Sequence, residues 1–447
     1  MASCGFEESR RDAFARARQR RRDVIIKGRS VACGLTCALM AGLALQAASP
    51  ANAQEQPAGI ADAIAKGTPI VELRPRYEQV EQAGRPNDAE AATLRTRLGW
   101  QTGKWNGLQA LVEIEYVRKL GPETYDTNLN GKTAYGQVFD PETTEMNRLQ
   151  LAWSPDPGFT VTLGRQRINL DDQRFIGGSA WRQDEQTFDA ARVDTRQGQF
   201  DATYIYIAHV NRVFGEKQDW DSDSHVLTAG YSFAEPLRLS GFAYALDLNS
   251  SVTPAIRNQS SLTWGAKVSG KAQVGAFRFD YAATMARQTD YGSSLLNHEL
   301  GFASAEAAIT NGPLSARLAY DQLEGNGTRG FSTPLGSLHA FNGWSDAFIV
   351  NGAKTTVDGL RDANATLTWN TGVKWDYFSN LILTARVHDF EAERTGADLG
   401  SELDLMAAGS ITPQVTWLVK VASYDGPDIA PAPADRTKVW LGFEWKM

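Results

Sequence analysis

Between Gly164 and Val193 the sequence reads GRQRINLDDQRFIGGSAWRQDEQTFDAARV. Arg165, Arg167, Arg174, Arg182 and Arg192 alternate there with Asp171, Asp172, Asp184 and Glu185. Guanidinium groups present a planar fork that pairs with carboxylates in two places at once, so a row of them makes successive weak sites along which an anion can move. The interleaved carboxylates would hold the arginine rotamers and keep binding weak enough for release. Two other readings compete. Such a stretch can be a solvated loop between strands, or its carboxylates can supply the acid and base of a polysaccharide lyase or hydrolase.

The rest of the chain offers little to an enzyme. The five histidines, His209, His225, His298, His339 and His388, are scattered without metal-ligand spacing, and no nucleophile elbow or phosphate loop occurs. No catalytic residue, metal site or cofactor is expected. All three cysteines, Cys4, Cys33 and Cys37, fall in the first fifty residues, so the remainder contains no disulfide and no thiolate chemistry.

Those first residues read as a targeting segment. A basic run from Arg10 to Arg29 precedes the small, apolar stretch Val31 to Ala48, and Ala51-Asn52-Ala53 fits a cleavage site, so residues 1–53 are expected to be a secretory signal peptide. Removing its 9 Lys/Arg and 4 Asp/Glu from totals of 45 and 52 leaves 36 and 48, a net charge of −12. An acidic exported chain is a poor partner for nucleic acid. Residues 54–69 are expected to form a periplasmic segment with one short helix near Gly59 to Gly67.

The charged residues must be positioned by the remainder of the chain. From Val71 to Met447 apolar and polar residues alternate with period two, run after run: Leu108, Ala110, Val112, Ile114 and Tyr116 oppose Gln109, Glu113 and Glu115, and Val439, Leu441, Phe443 and Trp445 oppose Lys438, Glu444 and Lys446. About eighteen such strands can be counted. A soluble sandwich also alternates, but here the apolar parity ends repeatedly in Trp, Tyr or Phe while the other parity carries charge. Aromatic girdles and a wet lumen produce that pattern. Short turns such as Asn106-Gly107 and 154–158 alternate with long polar loops near 119–145, 211–223, 323–360 and 424–436, as on the two rims of an outer-membrane barrel. The long loops are rich in turn residues and expected to be partly mobile. The fold class is therefore all-β, a transmembrane antiparallel β-barrel of about 18 strands over residues 70–447. Arg165 and Arg167 share parity with the lipid-facing Val161 and Leu163, so a bulge or the end of the span must intervene.

The charged stretch, with VELRPRYEQVEQ (71–82), ATLRTRLGWQTG (92–103), VFDPETTEMNRLQL (138–151) and YIYIAHVNRVFG (204–215), resembles the alginate-export porin family of Gram-negative outer membranes. The likeness is strongest before residue 235. It implies an eighteen-stranded barrel whose arginine-rich constriction passes an anionic uronate polymer by passive diffusion. On that basis Arg74, Arg76, Arg95, Arg97, Arg165, Arg167, Arg174, Arg182 and Arg192, with Glu113, Asp171, Asp184 and Glu185, are the expected substrate-binding residues. The expected partners are an anionic polysaccharide or oligosaccharide and outer-membrane lipid, with the chain acting as a monomer. A pore for other small anionic or aromatic solutes is the alternative, and a polysaccharide-acting enzyme a more distant one.

Overall fold

A computed structural model describes residues 57–447 apart from 351–352, 376–377 and 428–431, with the side chain of Val350 also left out. The expected signal peptide lies outside the described residues, as do the first three residues of the expected periplasmic segment. Among the described residues one six-residue helix, α1 (Ile60–Ala65), precedes the sheet. It is pinned against the turn after the second strand, where Gly103 N donates to Ala63 O at 2.8 Å and Trp100 Nε1 to Ile64 O at 3.0 Å.

Among the described residues eighteen long strands, with the two-residue strands Leu248–Asn249 and Lys374–Trp375, make up the sheet. The long strands are β1 (Thr68–Gln82), β2 (Ala89–Gln101), β3 (Leu108–Lys119), β4 (Thr143–Asp156), β5 (Phe159–Gln166), β6 (Thr187–Gln197), β7 (Phe200–Asn211), β8 (Trp220–Ala234) and β9 (Leu237–Leu246). Then come β10 (Ser261–Val274), β11 (Phe277–Asp290), β12 (Glu299–Asn311), β13 (Leu314–Leu323), β14 (Leu360–Asn370), β15 (Phe378–Glu391), β16 (Asp398–Ser410), β17 (Val415–Asp425) and β18 (Arg436–Lys446). Each pairs antiparallel with its sequence neighbours, and β1 closes on β18 with Leu73 opposite Trp445 and Gln82 opposite Arg436. Closure removes both sheet edges, so every span can satisfy its backbone groups without water, as hydrocarbon requires.

Alternation decides which side chain meets lipid. On β3, Val112, Ile114 and Tyr116 are exposed while Glu113 and Glu115 are fully buried toward the lumen. Trp153, Phe200, Phe233, Phe277 and Trp369 are exposed at strand ends beside the short turns, where amphipathic rings settle at a membrane interface. The opposite rim carries the long connections.

Two of those connections turn inward. Residues 167–186, between β5 and β6, carry fully buried Ile168 and Ile176; residues 324–359, between β13 and β14, carry buried Phe331, Leu335, Trp344 and Phe348. The second was expected as a partly mobile rim loop. Its apolar side chains instead fill the barrel, because lumen-facing Phe302, Leu323, Leu360 and Phe390 offer them a core. The loops meet where Gly177 N donates to Leu335 O at 2.9 Å and Ser337 N to Gln173 O at 2.9 Å. Gly336 permits the approach, since a Cβ there would stand 2.3 Å from Arg174 O.

Candidate functional site

The constriction begins with four arginines on neighbouring lumen positions of β1 and β2. Arg74 faces Arg95 directly in the β1–β2 register, with Glu72 opposite Arg97. Four guanidiniums so close would repel, and each is buried. What compensates them is a carboxylate frame on the adjoining strands together with the inward loop. Arg95 Nη2 donates to Glu444 at 2.8 Å and Glu72 at 3.1 Å; Arg97 pairs with Glu115, with Glu72 at 3.3 Å and with Glu185 at 3.2 Å.

Arg74 and Arg76 are spent on the loop itself. Arg74 donates to Gln183 Oε1 and Ala180 O, both at 2.9 Å, and to Arg182 O; Arg76 donates to Trp181 O and Asp140. Backbone carbonyls that the irregular loop leaves without ladder partners thus find buried guanidinium donors, which is how a non-regular segment can sit inside a barrel.

The loop's own charges are matched in the same way. Arg167 forks onto Glu185, with Nε at 2.9 Å. Burial alone would push the Glu185 carboxyl up, but the guanidiniums of Arg97 and Arg167 hold it below the ordinary glutamate range. Asp184, next in sequence, goes the other way, pushed well up by burial and by the carboxylates of Glu115 and Glu145. Arg174 reaches the second loop through Asn342 Oδ1 at 2.9 Å and also pairs with Asp321.

Asp346 is the meeting point. Its carboxylate accepts from Arg182 Nη2 at 2.7 Å, His339 Nδ1 at 2.9 Å and Lys354 Nζ at 3.0 Å, with Lys438 at 3.8 Å. Burial would raise its pKa, yet the His339 N–H and the Lys354 and Lys438 ammoniums hold it well below the usual carboxylate range. His339 passes the contact on: its Nε2 lies 2.7 Å from Lys420 Nζ, and its ring stacks on Trp181 at 4.3 Å.

Around these groups lies a cavity of about 1120 Å³, reaching from Leu296, Thr328 and Arg329 in the long connections down to Met406, Glu444 and Lys446 on the wall. Among the described residues ten Lys/Arg line it against four Asp/Glu. The cavity lining thus carries an excess of basic side chains in a chain of net charge −7.

The structure gathers Arg74, Arg95, Arg97, Arg167, Arg182 and Glu185 around that cavity. Arg76, Arg174 and Asp184 lie buried behind it in the loop junction. Asp171 holds Lys267 at 2.7 Å, and Glu113 holds Arg148 through both oxygens at 2.9 and 2.6 Å. Arg192 pairs with Asp194 two residues along its own strand, away from the cavity. Arg165 is a correction to its expected place in the lumen. It pairs in register with lipid-facing Leu149 and forks onto Asp189 at 2.7 and 3.0 Å on the outer face. Gly164, at φ +104° and with Leu149 O 2.3 Å from where a Cβ would be, lets β5 keep that parity to its end. Arg167 then turns inward because the strand has stopped.

Several cavity residues carried no sequence signal. Arg212, Arg329 and Lys420 line it, and none pairs with a carboxylate among the described residues; Arg386, which alternation alone places in the lumen, behaves likewise. His339, Trp344 and Asp346 belong to a connection whose composition suggested only a surface loop.

The sequence pattern described as alginate export matches residues 71–299, which is more than half of the chain. The chain belongs to the alginate export family. No curated protein matches it in sequence. Among solved structures, this alginate-export barrel is similar to Acinetobacter baumannii OccAB4 at 13% identity and TM-score 0.67, covering 86% of this chain and 98% of that one. It is similar also to Pseudomonas aeruginosa OccK9 (OpdG), at 16% and 0.65 over 86% and 100%, and to Pseudomonas aeruginosa OpdK solved with vanillate, at 13% and 0.65 over 86% and 99%. At such identities the likeness is one of fold: a closed 18-stranded barrel of the outer membrane. The alginate-export barrel is thus porin-like in fold.

Proposed function

We propose that the chain is a passive outer-membrane pore for an anionic saccharide, a uronate chain of the alginate type, drawn through by the basic lumen. The observation that carries this reading is the excess of ten basic over four acidic side chains around one cavity. Focused between low-dielectric walls, that excess raises the local concentration of anions and lowers that of cations. The carboxylates of Glu72, Glu185 and Glu444 fix the forks of Arg95 and Arg97, and Arg167, held by Glu185, keeps part of its fork open to a passing ligand. Selection is then by weak, repeated contact, which conduction requires.

A second reading is a pore for a small aromatic acid. Trp181, Trp220, Phe139, Phe214 and Trp344 line the same cavity, and a barrel of similar fold, OpdK, was solved with vanillate. Planar-bilayer recording separates the two. An anion-preferring reversal potential with concentration-dependent block by oligouronates supports the saccharide; block by benzoate-type acids and none by oligouronates supports the aromatic acid. A pore that prefers cations overturns both.

A further inference from the structure

Exposed apolar side chains are not confined to the strands. In α1, Ile60 and Ile64 are 61% and 52% exposed and stand four positions apart, hence on one side of the helix. The opposite side carries Asp62, which accepts from Ala58 N at 2.8 Å and pairs with Lys66 Nζ at 2.9 Å. A lone exposed isoleucine is ordinary on a water-facing surface. Two on a single turn, set against a charged pair, make an amphipathic face.

The attachment of the helix says what covers that face. Ala63 is buried, with its carbonyl on the turn after β2, and the carbonyl of Ile64 accepts from Trp100 Nε1. Trp100 shares parity with exposed Leu98 and stands opposite lipid-facing Val112 of β3. The ring that holds α1 therefore belongs to the outer surface of the barrel, on the rim of the short turns. Gly67 lets the chain cross this ring, since a Cβ there would stand 2.2 Å from Trp100 Nε1. Beside β1 on the same rim, Met447 N donates to Val71 O at 3.0 Å, and Met447 is itself 62% exposed. The isoleucine face thus adjoins the apolar band of the wall where aromatic rings meet the membrane interface. Six residues hardly sustain a helix in water, and burial of two isoleucines in that interface adds what the length does not supply. Lys66 and Lys104, exposed at the end of the helix and in the turn, stand where phosphate headgroups lie.

We propose that α1 is an interfacial anchor lying along the periplasmic leaflet of the outer membrane. Ile60 and Ile64 sit among the acyl chains, Lys66 and Lys104 at the phospholipid phosphates, and the helix fixes the start of β1 at the rim. This role is independent of the solute that the pore passes.

The test uses the full chain with Cys4, Cys33 and Cys37 changed to Ser, so that one introduced cysteine is the sole thiol. The protein is labelled with nitrobenzoxadiazole and refolded into vesicles of phosphatidylethanolamine and phosphatidylglycerol. Labels go to Ile60→Cys, Ile64→Cys and Asp62→Cys, with Leu98→Cys as the lipid-facing reference and Ser251→Cys, in an exposed connection, as the water-facing one. At positions 60 and 64 emission should shift to the blue, brominated phospholipid should quench it as at position 98, and aqueous iodide should quench it little. The label at position 62 should follow that at 251. With the label at 64, Ile60→Asp should cut quenching by brominated lipid severalfold. Resistance of the folded barrel to SDS without heating checks that each variant has assembled. In assembled barrels, iodide quenching at 60 and 64 equal to that at 251 overturns the anchor, as does protection there from both quenchers. Quenching by brominated lipid as strong at 62 as at 60 and 64 overturns it too, since the segment would then have no lipid-facing side.

Discussion

Arg182 Nη2 and Asp346 Oδ2 stand 2.7 Å apart although 164 residues separate them, and this pair joins the two connections that narrow the barrel. Each partner is buried, and Asp346 also serves His339 and Lys354. The constriction therefore depends on one carboxylate more than on any single arginine. Asp346→Asn leaves several buried cations uncompensated and should cost about 3 to 5 kcal/mol of loop docking. Protease cleavage within 324–359 should quicken, and single-channel conductance should rise and become noisier. Cleavage and conductance at wild-type levels would show that the apolar packing of Phe331, Leu335 and Phe348 holds the loop unaided.

Arg165 and Arg167 differ by two positions in sequence and by a wall in space. Arg165→Gln breaks a half-exposed pair with Asp189 on the outer face, so reversal potentials should stay as in wild type. Arg167→Gln removes a cavity-lining charge and leaves Glu185 short of a partner, so anion preference should fall. Equal effects of the two would place Arg165 within reach of the conducted ions.

Changing Arg74, Arg76, Arg95 and Arg97 together to Gln should lower anion-over-cation permeability, read as a shift of reversal potential in a salt gradient. Because Arg74 and Arg76 hold the carbonyls of residues 180–182, conductance should increase at the same time. A changed conductance with an unchanged permeability ratio would leave these four residues a purely architectural role.

The junction should also loosen with acid. His339 is kept neutral in the assembled constriction by burial and the Lys420 charge, whereas a released imidazole takes up a proton near pH 6.5, as free histidine does at about that value. The released state binds the extra proton, so docking is strongest above that pH and weakens as pH falls below it. Glu185 and Asp346, both held low in the docked state, add to the loss at lower pH still, below about 4. Cleavage of the 324–359 segment should therefore be faster at pH 5 than at pH 7.5, with the difference reduced in His339→Gln. Equal rates at both pH values in wild type would contradict a neutral His339.

The barrel was legible because its signal is local. A period of two, read over ten residues, states which side chains face lipid, and the parity of Arg74, Arg95, Glu113 and Glu115 placed them in the lumen without knowledge of any partner. Trp440 shows how far this goes: it sits on the lumen parity of β18 and is fully buried there against Trp181. Long connections are opaque to the same logic. Nothing in the composition of 324–359 distinguishes a rim loop from one packed inside, since the difference lies in whether Phe302, Leu360 and Phe390 offer it a core.

By itself, then, the amino-acid order settled an eighteen-strand closed sheet, its inner and outer faces, and an inner face rich in guanidinium. Alternation is a property of neighbours along the chain, so it survives in one dimension. Which of those cations are already neutralised was decided only in three dimensions, because the counter-charges come from afar: Arg95 finds Glu444, Arg97 finds Glu185, and Arg182 finds Asp346. Lys420 and Arg386 make no direct ion pair with a carboxylate among the described residues, and that is a fact about distances, which residue order does not record.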